Sequence, residues 1–199
     1  MFVQMTPVTW QLWCLAALAL VMLMVVESDV REQRIPNVMV LFVLLAGLAL
    51  NGVGPANGRE GLFSHFPGAL GIGTALLGVL VGLALFLPLY LLRAMGAGDV
   101  KLLAALGAFT GPVEIIGLAL SILVAGGVLA VLRMLWAGKS RLVLNNVKLA
   151  LGSLGGGTSA RFDPATQSAD RMPYALAFAG GLLAYGYWRL GGGAPLISF

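Results

Sequence analysis

Apolar residues in this chain come in long runs, and polar residues collect in short segments between them. A helix crossing a bilayer needs about 20 consecutive apolar residues, and most of the runs approach that length. They predict helices over 8–27, 37–51, 69–92, 113–136 and 173–190. A further apolar stretch, 100–110, is short. At about 1.5 Å per residue it spans about 16 Å, or about 25 Å if it begins near Ala94. Gly111-Pro112 breaks it, because proline has no N–H and its ring clashes with the preceding turn. The pattern predicts an all-α membrane protein: a polytopic bundle of about six transmembrane helices with a short fourth helix, forming one domain over 1–199.

The polar segments sharpen this picture. The stretch 52–68 is rich in turn formers, with Gly52, Gly54-Pro55 and Asn57-Gly58, and reads as a loop. The segment 137–172 is the largest polar region. Its part from Arg141 to Leu154 mixes Lys and Arg with Leu and Val, a composition suited to an interfacial helix on anionic lipid. Its part from Gly155 to Ala169 reads as flexible. Met1 to Thr9 carry no basic residue and no small-x-small site precedes Glu27, so the first run reads as a retained helix rather than a signal peptide.

Composition agrees: 59% of the residues are hydrophobic and 10% charged. The net charge of +4 does not call for nucleic acid, because the basic residues are distributed as in membrane proteins. Arg31 and Arg34 lie in one loop, Arg93 and Lys101 in another, and Lys139, Arg141, Lys148, Arg161 and Arg171 in the long segment after Arg133. Loop 52–68 holds Arg59, balanced by Glu60. The positive-inside rule then puts the three basic segments in the cytoplasm and both termini outside, which requires the short fourth segment to cross. Trp10, Trp13, Tyr90, Trp136, Tyr174, Tyr187 and Trp188 all fall near predicted helix ends, as an aromatic belt does. The single cysteine, Cys14, excludes an intrachain disulfide framework and a CxxC metal site. The single histidine, His65, excludes a His-based zinc protease motif, and no GxSxG is present.

Against this background two acids stand out. Asp29, in Glu27-Ser28-Asp29, and Asp99, in Gly96-Ala97-Gly98-Asp99, both sit where an apolar run meets a polar one. Carboxylates near hydrocarbon are costly and mark function by default. Helix parity brings both to the cytoplasmic face, Asp29 at the end of the first helix and Asp99 at the start of the fourth. Two carboxylates a few ångströms apart resist double ionisation and titrate as a unit. One can then take a proton from water while the protonated partner polarises a carbonyl. Gly96 and Gly98 suit such a site by letting backbone approach closely.

Plainer readings exist for each residue. Asp29 fits a helix-end cap with Arg31 and Arg34 as salt partners, Asp99 an N-cap, and Lys101 a snorkelling cation. Glu27, one turn away, fits a partner or an interfacial acid. On pattern alone, a proton-coupled transporter and a non-catalytic assembly subunit of a pilus or secretion machine remain rivals to a protease. Helix centres that are nearly all apolar or small argue against the transporter.

Specific motifs shift the weight. Gly96-Ala97-Gly98-Asp99-Val100-Lys101-Leu102 resembles the GxGDxKL signature of type IV prepilin peptidases. Asp29, followed by Arg34-Ile35-Pro36-Asn37, is similar to that family's other aspartate motif. Met172-Pro173-Tyr174-Ala175 resembles its entry to the last helix. The likeness runs from the first helix through the sixth. It implies a GxGD intramembrane aspartic protease with Asp29 and Asp99 as the catalytic pair, and no metal or organic cofactor. The implied partner is a prepilin or pseudopilin precursor with a basic cytoplasmic leader, a cleavage point and an apolar helix. The implied location is the bacterial cytoplasmic membrane. Larger family members add paired CxxC motifs and N-methylate the product; this chain has one cysteine and resembles the short, peptidase-only form of tight-adherence (Flp-type) pilus systems, more than the archaeal preflagellin peptidases. Presenilin-type proteases share GxGD but pair it with Tyr-Asp, whereas Asp29 follows Ser28. Of the remaining motif residues, Pro36 is expected to start the second helix. Asn37 is expected to hydrogen-bond loop backbone, and Lys101 to act on an aspartate or hold the loop.

Overall fold

The computed structural model describes residues 6–55, 61–64, 66–136 and 174–196. The expected interfacial helix in 141–154, the flexible stretch after it, His65 and Met172-Pro173 lie outside them. Five helices and no strands occur among the described residues: α1 (Pro7–Glu32), α2 (Asn37–Val53), α3 (Gly71–Leu91), α4 (Ala97–Trp136) and α5 (Ala175–Leu190). Three of these, α1, α3 and α4, are long and apolar enough to cross a membrane. Large side chains such as Leu23, Leu45, Leu80, Val124 and Leu183 are exposed around the outside, where a water-soluble chain would carry charge.

Where six helices are expected, five elements stand, because the predicted fourth and fifth follow one another without a loop as one element, α4. That element is nonetheless broken. Gly111 has φ 78° and ψ 177°, a conformation closed to residues with a side chain, and Pro112 follows it. Neighbours show what the break does. Lys101 meets Asn37 and position 108 meets Gly47, so the limb 97–110 runs parallel to α2. Gly107 meets Gly78 and Leu103 meets Gly82, so it runs antiparallel to α3. Beyond the break, Gly117 meets Tyr185 and Gly126 meets Tyr174, so the limb 112–136 runs antiparallel to α5. The chain turns back on itself at Gly111.

The short limb is the centre of the bundle. Leu102 to Gly111 are all buried, which explains why this stretch is apolar on every side. It fits because α3 offers glycines: a Cβ on Gly107 would lie 2.2 Å from the Gly78 carbonyl oxygen. Asn51 pins its far end, donating to the Ala108 carbonyl at 2.8 Å and accepting from the Leu70 N–H at 3.0 Å.

Two further differences from expectation matter. α1 continues one turn past 27 to Glu32, helped by the i,i+4 pair Glu27–Arg31 at 2.9 Å, so Asp29 is a helical residue rather than a loop one. The loop after α2 also does more than turn. Leu62, Phe63 and Ser64 are buried, and Gln11 Nε2 donates to the carbonyls of Leu62 (2.8 Å) and Ser64 (3.1 Å).

Candidate active site

Asp29 and Asp99 come together at one end of the bundle, the end where α1 finishes and α2, α4 and α5 begin. Gly98, beside Asp99, packs on Ile35, six residues after Asp29, which brings the two motifs to the same end. Each is held by a helix start. Asp99 is the third residue of α4 and its Oδ2 accepts the Gly96 N–H at 3.3 Å, so it reaches back to cap its own helix. The plainer reading of Asp99 as the N-cap is corrected, since that position, just before Ala97, is Gly96. Asp29 is buried and its Oδ2 accepts the N–H of Ala175, the first residue of α5, at 2.8 Å. The partial positive charge of that helix end faces the carboxylate. The plainer reading of Asp29 as a salt partner of Arg31 is corrected, since Arg31 pairs with the exposed Glu27.

The other predicted residues form the frame around the pair. Gln33 ends α1 in the left-handed conformation (φ 51°), its N–H returning to the Asp29 carbonyl at 3.0 Å. The exposed Arg34 takes part through its backbone, its carbonyl accepting from Ser28 Oγ at 3.2 Å. Pro36 precedes α2 rather than starting it, and its carbonyl accepts from the Met39 N–H at 3.0 Å. Asn37 does not bond loop backbone through its side chain as expected; its Oδ1 accepts from Lys101 Nζ at 3.1 Å. Lys101 therefore ties the start of α4 to the start of α2. Gly98 faces Ile35 so closely that a Cβ would sit 3.3 Å from Ile35 Cβ. The loop of the first motif and the helix start of the second are in van der Waals contact.

Two residues at the site were not among the predicted site residues. Ala175 acts through a backbone N–H, which no side-chain pattern can announce. Tyr174, just before α5, lies close enough to Asp99 that burial, with the Asp99 carboxylate adding to it, pushes its phenol above the usual range. Its place in the Pro-Tyr-Ala motif was the available signal. Among the described residues, no three His, Cys, Asp or Glu side chains gather as metal ligands would.

A sequence model described as the type IV leader peptidase family matches residues 16–131, a span that holds both aspartates. The chain belongs to the type IV leader peptidase family. It is therefore a peptidase by family, and the family's substrates are prepilins. No curated protein and no solved structure matches the chain. Within this leader peptidase, the matched span covers α1 to most of α4, while the Ala175 N–H that completes the Asp29 environment comes from beyond it.

Proposed function

We propose that the chain is an intramembrane aspartic endopeptidase that removes the basic leader from Flp-type prepilins at the cytoplasmic membrane face. The observation that supports this reading is the placement of Asp29 and Asp99 at one end of an apolar bundle, Asp29 against the start of α5 and the start of α4 against the loop after α1. One carboxylate takes a proton from water as the water oxygen attacks the scissile carbonyl carbon. The other, protonated, donates to the carbonyl oxygen and stabilises the charge that develops there. Collapse of the tetrahedral intermediate breaks the C–N bond, and the proton taken from water passes to the leaving amine.

In this reading the chain crosses the bilayer six times, with the limbs 97–110 and 112–136 as separate crossings, basic segments in the cytoplasm and both termini outside. The frame of Arg34, Pro36, Asn37, Gly96, Gly98 and Lys101 holds the two aspartates in register. The activity is hydrolysis alone, without N-methylation, because the paired CxxC motifs of bifunctional relatives have no counterpart among residues with one cysteine. The purified chain, given a prepilin in detergent with a metal chelator present, should cut once between leader and helix, as read by mass spectrometry. An intact prepilin under these conditions, beside a cleaving control peptidase, would overturn the proposal.

A further inference from the structure

An apolar groove of about 560 Å³ lies between α1 and α5. Leu15, Ala19, Met22 and Val26 form its α1 wall, spaced three or four residues apart so that they share one helix face. Ala179, Leu183 and Gly186 lie on its α5 wall. No lining residue is charged.

The position of the groove is more telling than its composition. The next residue on the α1 face after Val26, three positions on, is Asp29. The residue one turn before Ala179 on α5 is Ala175. Both walls therefore end at the Asp29–Ala175 hydrogen bond. Phe63, held edge-on against the Tyr185 ring with centroids 5.8 Å apart, lines the groove beside Gly186, and Tyr187 and Leu190 line it further along α5. From Asp29 back to the level of Leu15 is about 21 Å of helix, or about four turns. Along one side the rim residues Leu23 and Leu183 are exposed, so the groove opens towards the surrounding hydrocarbon rather than towards water.

We infer that this groove seats the apolar helix of the prepilin that follows the scissile bond. The inference rests on the peptidase reading above and says how the substrate reaches the aspartates. A helix lying along α1 and α5 would enter sideways from the bilayer and have its first turn set beside Asp29. An acyl chain would suit the apolar walls equally well, but nothing would align it with a carboxylate. A helix whose amino end must be presented to that carboxylate matches both the walls and their shared end.

The test uses a prepilin that the wild-type chain cleaves, with a photoreactive benzophenone side chain placed at one position per turn after the cut. Mixed with the cleavage-dead Asp99→Asn chain and illuminated, it should cross-link to the peptides around Leu23 and Leu183. Cross-links that fall on α3, on 137–172, or on lipid only would overturn the inference. So would finding that Leu23 and Leu183 cross-link a second copy of the chain instead. Ala19→Trp, at an exposed position inside the groove, should raise KM for this prepilin by about tenfold with kcat little changed. Ala16→Trp, exposed but off the groove, should leave KM as it is. Equal KM values for the two variants would contradict the inference while leaving the peptidase reading intact. Failure of the wild-type chain to cut any prepilin would instead remove the peptidase reading, and this inference with it.

Discussion

The Asp29 carboxylate accepts a 2.8 Å hydrogen bond from the backbone N–H of Ala175, 146 positions later in the chain. The last helix thus holds a residue of the first. Ala175→Pro deletes that N–H and also strains the entry to α5, because Tyr174 before it is in the right-handed helical region (φ −76°, ψ −16°) that a following proline disfavours. Prepilin cleavage should fall about tenfold or more, in line with the loss of a charge-assisted hydrogen bond. Ala175→Gly keeps the N–H and should stay within a few-fold of wild type. Cleavage rates at matched membrane levels check both.

Gly98 sets the approach of α4 to the loop 33–36. Gly98→Val adds atoms where a Cβ alone would already lie 3.3 Å from Ile35. Cleavage should drop strongly, while Gly98→Ala should retain measurable activity because the neighbour gives way by a few tenths of an ångström. The comparison is a rate assay on the two variants at equal expression.

Packing at the centre of the bundle predicts a stability effect with no chemistry attached. Gly107→Ala would put its Cβ 2.2 Å from a backbone oxygen of α3. It should destabilise by about 2 kcal/mol or more, the upper range for overpacking. Gly127→Ala meets nothing within 4 Å and should be neutral or slightly stabilising. Unfolding in mixed detergent reads the difference.

At the end of the bundle away from the aspartates, the buried Glu114 is hydrogen-bonded by Tyr185 and ion-paired with Arg189. Removing Glu114 takes away the buried acceptor of Tyr185 and one partner of Arg189 at once. Glu114→Ala should therefore cost about 3 kcal/mol of stability. Its cleavage rate per folded molecule should change little, because the network lies far from Asp29. Parallel unfolding and activity measurements separate the two effects.

The sequence made the apolar helices, and the two acids that lie at one end of them, legible for physical reasons. Long apolar runs fix spans, and an acid such as Asp99 in an apolar context stands out against its surroundings. The Gly111-Pro112 break is legible as a helix stop, and the backbone is non-helical there; with no loop between them, the two limbs stand as one element, α4, rather than two. The extension of α1 to Glu32 was missed because its last turn is polar and hydropathy cannot distinguish an exposed helical turn from a loop. Burial of Leu62 and Phe63 was hidden among turn formers, and depends on Gln11, about 50 residues earlier. The Lys101–Asn37 and Ala175–Asp29 bonds join distant segments, and pattern within one segment carries no record of either.

The central claim is that Asp29 and Asp99 act together on one peptide bond. Each of Asp29→Asn and Asp99→Asn, co-expressed with a prepilin that the wild type processes, should leave the prepilin uncut while the variant accumulates in the membrane at wild-type level. Wild-type cleavage by either variant would contradict the account.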